Sequence, residues 1–283
     1  MTTHRVFARH ARPFALAFAC AAGASAAGCA PAAPAEGESV GDTNEGAITY
    51  EAFKATHFFA DPSDPAVLLW HGDVAIELDS SVMRGLYDDE RSGQRLVVNR
   101  AGKRDDRWGA DEARGLRYCV SDAFGAQKAN VVSAMDAAAA AWEAVANVDF
   151  VYAPAEDAGC DAKNRAVVFD VSPAELGNGV LARAFFPSTG RSGRRVLVDG
   201  DAFGELGAWT LAGVFTHELG HTLGFRHEHT RPEAGTCFEN NQWRALTVYD
   251  AASVMHYPQC NGTNGADLRI TALDAEGARA LYP

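Results

Sequence analysis

Residues His217 to His227 read H-E-L-G-H-T-L-G-F-R-H, and few strings restrict a chain so tightly. His217 and His221 stand four apart, so on a helix both imidazoles leave the same face and can share one ion. Glu218 follows the first histidine and can reach a water held by that ion without being a ligand. Gly224 lets the chain leave the helix through left-handed backbone, turning His227 back to supply a third nitrogen. Three protein ligands leave one coordination position open, which separates a catalytic zinc site from a closed structural one. The competing reading is a surface helix with solvated histidines. Against it, the lead-in carries Trp209, Leu211, Ala212, Val214 and Phe215. The histidines then belong to a buried element, where polar groups need a partner such as a metal.

Other segments extend the pattern. Ser253-Val254-Met255-His256-Tyr257 follows downstream, Leu116-Arg117-Tyr118-Cys119-Val120 lies upstream, and Leu181 to Pro187 precedes the helix. Together with the extended histidine string they resemble the metzincin zinc peptidases. Leu181 to Pro187 is similar to the cleft strand of the matrixins. Glu228, Arg231 and the 253–257 pentapeptide are similar to the astacins. Thr216 to Pro258 most resembles the bacterial "dual-action HEIGH" metallopeptidases. Glu233 can stand for the acidic residue that astacins carry after this Arg, but their charged continuation is lost at Ala234-Gly235, so astacin substrate choice does not carry over.

The resemblance implies an α/β (α+β) catalytic domain with a twisted mixed sheet, a long backing helix, an active-site helix and a Met-turn. It implies Zn2+ held by His217, His221 and His227, with Glu218 as general base and a polypeptide as substrate. Tyr257 is expected against the metal, stabilising the oxyanion, and Met255 beneath it as packing. Glu228 is expected either to pair with a freed mature N-terminus or to be solvated. His229 and His256 are expected to point elsewhere, because three histidines complete the set. Asp199-Gly200-Asp201 resembles a calcium-binding region of the matrixins, but two carboxylates are too few for Ca2+, and a surface turn is expected.

The N-terminus carries Arg5, Arg9 and Arg12 before a run from Phe14 to Gly28 rich in Ala, Phe and Leu. That is a secretory leader over residues 1–28, too short and too poor in large apolar residues to span a membrane. Ala26-Ala27-Gly28-Cys29 resembles a lipoprotein cleavage box, which would make Cys29 a lipid anchor; secretion after Ala26 is the alternative. The protein is thus expected in the outer cell envelope as a lipoprotein, or secreted. Residues 29–48 are rich in Ala, Pro, Glu and Gly without apolar periodicity, and read as a tether.

Four cysteines remain, Cys119, Cys160, Cys237 and Cys260. In an exported chain they imply two disulfides with three connectivities open; nearest-neighbour pairing is expected. No C-x-x-C spacing suggests a second zinc site. The formal net charge of -12 argues against nucleic acid and against electrostatic binding to anionic lipid. Membrane contact would come only through Cys29, and the oligomeric state stays open.

Residues 49–114 precede the catalytic unit and hold a candidate hairpin, Val67–Trp70 with Val74–Leu78, turning at His71-Gly72-Asp73. An apolar run, Arg95–Val98, and a charged, exposed Lys103–Arg107 follow. This region reads as a pro-segment that keeps the cleft closed until removed, or as an accessory region packed permanently on the enzyme. It has no cysteine switch, so an acidic residue such as Asp73 or Asp105 is a candidate inhibitory ligand. Residues 115–283 form the catalytic domain. Val131, Met135, Ala138, Trp142 and Val145 mark a helix over Gln127–Val148. Strands are expected at Phe150–Tyr152, Ala166–Phe169, Val180–Phe186 and Arg195–Val198. Helices are expected at Trp209–Leu223 and Thr271–Leu281, the latter opened by a capping box with Asp274. Two other function classes remain open from the residues alone: a non-catalytic metal-binding envelope lipoprotein, and a zinc hydrolase of another amide or ester.

Overall fold

The computed structural model describes residues 97–239, 243–264 and 267–283, together with parts of the segment between 50 and 77. The leader, the tether with Cys29, the His71–Asp73 turn and Arg95–Leu96 lie outside the described residues.

Three strands come first: β1 (Phe58–Ala60), β2 (Val67–Trp70) and β3 (Val74–Glu77). They form an antiparallel sheet in which Trp70 pairs with Val74 and Val67 with Glu77, the expected hairpin. β4 (Val98–Ala101) and β5 (Arg104–Asp105) follow, then the short helix α1 (Ala110–Ala113). The main sheet is built from β6 (Leu116–Val120), β7 (Phe150–Tyr152), β8 (Phe169–Pro173), β9 (Ala182–Arg183) and β10 (Arg195–Val198). Its order is β7-β6-β8-β10-β9, parallel except for the antiparallel edge strand β9. The fold is mixed α/β, as expected.

Helix α2 (Lys128–Glu143) buries Val131, Ala134, Met135, Ala138, Ala139 and Trp142. Its small residues let it lie close to α3 (Leu211–Thr222), which is buried from Gly213 to Thr222. Trp142 Nε1 donates to Thr216 O at 2.8 Å and so fixes the two helices in register. Thr210 caps α3, accepting from Gly213 N at 2.9 Å. At its other end, Trp108 Nε1 donates to Thr222 O (2.8 Å) and Tyr282 Oη to Leu223 O (2.7 Å), satisfying carbonyls that a helix end leaves open. Strand β11 (Trp243–Arg244) pairs with β4. The last helix, α4 (Ala272–Leu281), opens with the expected capping box: Asp274 N donates to Thr271 Oγ1 and Thr271 N to Asp274 Oδ2, both at 3.0 Å. No helix among the described residues is long and apolar enough to cross a membrane.

Several expected boundaries move. The long helix begins at Lys128 and ends at Glu143, after a 3-10 turn over Asp122–Gln127. The strand expected over Ala166–Phe169 instead runs Phe169–Pro173. Val167 packs with Cys119, Ala153 and Cys160, away from the main core. Polar Asp170 and Ser172 occupy the strand because Arg191 and Arg195 pair with the fully buried Asp170 at 3.0 and 3.2 Å. Only Ala182–Arg183 of the Val180–Phe186 run is ladder-paired with β10. Asp106, expected exposed, is 3 % accessible and accepts from Asn99 Nδ2, Ser188 N and Ser188 Oγ. The expected surface turn at 199–201 is present, with Gly200 and Asp201 exposed in a 3-10 turn, but Asp199 itself is buried. It accepts from Leu176 N (2.6 Å), Gly177 N (3.3 Å) and Asp201 N (2.9 Å). Burial alone would raise its carboxyl, but these amides hold it below the usual value.

Both disulfides follow nearest-neighbour pairing, Cys119–Cys160 and Cys237–Cys260. The second ties the segment after His227 to the end of the 253–257 turn across 23 residues. Closing a loop of that size removes unfolded-chain entropy equivalent to about 3 kcal/mol. Replacing Cys237 and Cys260 by Ser should therefore lower unfolding free energy by about 3 kcal/mol in urea titrations. A loss below about 0.5 kcal/mol would show that the clasp adds little.

Candidate metal centre

Helix α3 delivers His217 and His221, which are 3 % and 0 % accessible. It ends in a Schellman turn: Gly224 N donates to His221 O (2.8 Å) and Phe225 N to Gly220 O (2.9 Å). Gly224 has φ +96°, and a Cβ there would meet the Asp106 carbonyl oxygen at 2.0 Å. Only glycine serves both conditions. Beyond the turn, Asn99 N donates to Gly224 O (2.8 Å) and Arg226 N to Val97 O (2.9 Å), so strand β4 holds the segment that carries His227. His227 is 2 % accessible. Ring nitrogens of His217, His221 and His227 lie within 4.8 Å of one another, a group that can hold a metal ion.

Hydrogen bonds show which nitrogen of each ring faces the centre. His217 Nδ1 meets Val254 O at 2.7 Å, and His221 Nδ1 meets Phe225 O at 2.8 Å. A carbonyl oxygen only accepts, so in both rings Nδ1 donates and Nε2 is the nitrogen turned toward the centre. His227 Nδ1 meets the Glu239 carboxylate at 2.5 Å, with the same consequence. The donor set therefore fits a zinc ion: three imidazoles, each oriented by an outer acceptor on Nδ1.

Under the cluster lies the 253–257 turn. Val254 N donates to Asp274 Oδ2 (2.8 Å), Ser253 Oγ to Asp274 Oδ1 (2.6 Å), and Met255 N to Ser253 Oγ (3.0 Å). The residue that caps α4 thus also anchors the turn; burial raises its carboxyl above the usual range. Met255 is 2 % accessible, and its Sδ would lie 2.4 Å from a Cβ added at Gly220. It packs beneath the middle of α3. Tyr257 stacks on the cluster, its ring centroid 4.5 Å from His227 and 5.5 Å from His217. Glu218 is 3 % accessible, one residue after His217 on the same helix. On the other side, the Phe186 ring meets His221 edge-on at 5.9 Å, bringing the chain after β9 to the site.

Three sequence expectations change here. Glu228 is not solvated: it is 4 % accessible, ion-paired with Arg231 Nε at 2.9 Å, and accepts from Asp250 N at 2.9 Å. Burial pushes its carboxyl up to about 8 against the pull of Arg231. His229 does not leave the site. It stacks on His227 at 4.6 Å and forms a second buried group with His227 and Glu239; burial pushes its imidazole down to about 4. Asp105 binds Arg244 Nη2 at 2.7 Å and is outside both histidine groups, whereas Asp73 lies outside the described residues. His256 does turn away, toward Tyr249 Oη at 2.9 Å. Sequence reasoning passed over Glu239, which belongs to no motif; its one signal is its place two residues after Cys237.

Known proteins match this region. The family model described as Matrixin matches residues 107–236, which include the whole 217–227 string and support a metzincin-type domain. Protein SpAN of Strongylocentrotus purpuratus is 29 % identical over 106 residues, covering 25 % of this chain and 17 % of SpAN, so the match spans a small part of that relative. The structure of myroilysin superposes with a TM-score of 0.43 at 17 % identity, covering 66 % of this chain and 98 % of that one. High choriolytic enzyme 1, a hatching enzyme zinc-protease from Oryzias latipes, gives 0.41 at 18 % identity, covering 62 % and 94 %.

Gly224→Ala tests the turn that sets the third histidine. Forced left-handed backbone and a clash with the Asp106 carbonyl should together cost at least about 2 kcal/mol in urea unfolding. Wild-type stability would contradict the account of the turn.

Proposed function

We propose that this chain is an exported, zinc-dependent endopeptidase of the metzincin type, most similar to the bacterial dual-action HEIGH enzymes. The observation that carries the reading is the common orientation of His217, His221 and His227, each with Nδ1 on an outer acceptor. Such a set presents three Nε2 lone pairs to one ion. Zn2+ held there supplies Lewis acidity and lowers the pKa of a water molecule into the neutral range. Glu218 accepts the proton of the attacking water and returns it to the leaving amine. Its near-complete burial keeps that exchange out of bulk solvent. The Tyr257 hydroxyl stabilises the negative charge that develops on the peptide carbonyl.

Within residues 49–114, the part before Val97 acts in this reading as a pro-segment, and the rest stays with the enzyme. Support comes from Ala75 N, which donates to Ala184 O at 2.9 Å, and from the parallel bridge between Val74 and Ala184. The N-terminal sheet therefore lies on the chain just after edge strand β9, two residues from Phe186 and its contact with His221. A peptide seeking that edge would have to displace β3. The removable part ends before Val97, because Val97 and Asn99 are bonded to the turn that carries His227. Two disulfides suit an exported chain.

Glu218→Ala should leave a folded protein with near wild-type zinc content and cleave casein about 10²–10⁴-fold more slowly. Retention of most activity would remove the proposed mechanism. Zinc binding without any proteolysis by the wild type would point instead to another amide or ester substrate, or to a binding protein.

Ala75→Pro tests the pro-segment separately, since it removes the N–H that reaches Ala184 and leaves the register with β2 to other residues. Peptidase activity of the uncleaved chain should rise. A folded variant no more active than wild type would argue for a permanent accessory region.

A further inference from the structure

The two helical ligands and the third differ in how they are held. His217 and His221 are fixed by α3 itself and lean on neutral backbone carbonyls. His227 stands in a loop, and its outer acceptor is a carboxylate, Glu239, which is 4 % accessible. Glu239 is anchored from the other side: Arg226 Nη2 donates to its Oε2 at 2.8 Å, and that guanidinium is 1 % accessible.

A second contact leads on from the same oxygen. His229 Nε2 lies 3.3 Å from Glu239 Oε1. The backbone N–H of Tyr257 donates to His229 Nδ1 at 3.2 Å, so the proton of that ring sits on Nε2 and faces Glu239. Stacking of His229 on His227, at 4.6 Å and 16°, keeps the two imidazoles side by side over one carboxylate. Tyr257 and His227 are thereby linked through two side chains that the histidine motif does not include.

We propose that Glu239 is the positioning residue of the third metal ligand, and that through His229 it also sets the backbone of Tyr257. This rests on the reading of His217, His221 and His227 as a zinc site. A carboxylate on the Nδ1 proton fixes the ring plane and makes Nε2 a better electron donor than a carbonyl does. His227 receives that charged support because no helix orients it. Arg226 immediately precedes His227, and Glu239, twelve residues after it, folds back onto both, so the loop brings its own brace.

The test compares Glu239→Ala and Glu239→Gln with wild type, measuring zinc dissociation against a chromophoric chelator and folding of the metal-free protein by circular dichroism. Glu239→Ala should weaken zinc binding by about 10–100-fold. Glu239→Gln, whose amide oxygen still accepts from His227 but carries no charge, should fall between it and wild type. In the cobalt-loaded proteins the visible absorption bands should shift in Glu239→Ala and be largely restored in Glu239→Gln. A folded Glu239→Ala with wild-type zinc affinity overturns the proposal. If Glu239→Ala does not fold, Glu239→Gln decides: weaker binding supports the role, and unchanged affinity overturns it. Failure of both variants to fold assigns Glu239 to the fold and overturns the proposal too. Absence of zinc binding by the wild type would instead defeat the metal-site reading on which it rests.

Discussion

The ring nitrogens of His217, His221 and His227 lie within 4.8 Å of one another because each ring is held with Nδ1 turned to an outer acceptor. The rest of the architecture supplies that condition. Val254 O, Phe225 O and the Glu239 carboxylate each accept a hydrogen bond from one Nδ1, and they come from three different places in the chain. One is the turn beneath the helix, one is the helix's own exit, and one is the loop clasped by Cys237–Cys260. The sheet and α2 matter to function because they hold these three segments against α3.

Close packing joins the three histidines to the core. Gly220 sits between the two helical histidines, and a Cβ there would lie 2.4 Å from Met255 Sδ and 3.1 Å from Trp142 Cζ2. Trp142 in turn stacks on Phe225 at 5.2 Å, the residue whose carbonyl orients His221. A shift of α2 is therefore felt at His221. Asp274 makes a similar link from the other side, capping α4 while holding Val254, the acceptor for His217. Such coupling through packed groups is what keeps a site within the narrow tolerance that metal ligation needs.

Much of this was legible in the sequence because it is local. The ligand spacing follows helix geometry, Gly224 follows from the sharp exit, and the capping box at Thr271 needs only a four-residue window. Cysteine pairing also followed chain proximity. What escaped was set by distant partners. Asp170 turned a polar stretch into the centre of a sheet because two arginines more than twenty residues away neutralise it. Asp106 looked exposed within a charged run, yet Asn99 and Ser188 bury it beside Gly224. Glu239 carries no periodic or motif signal, and only the folded loop brings it to His227. His229 falls outside the same local logic, because counting ligands along the chain does not reveal the carboxylate behind them.

The central claim, that His217, His221 and His227 form one zinc centre, is tested most directly by X-ray absorption at the zinc edge of the purified protein. The account predicts one zinc per chain with three nitrogen ligands at about 2.0–2.1 Å, an oxygen ligand, and no sulfur. A metal shell containing sulfur, or one with fewer than three imidazole nitrogens, would contradict it.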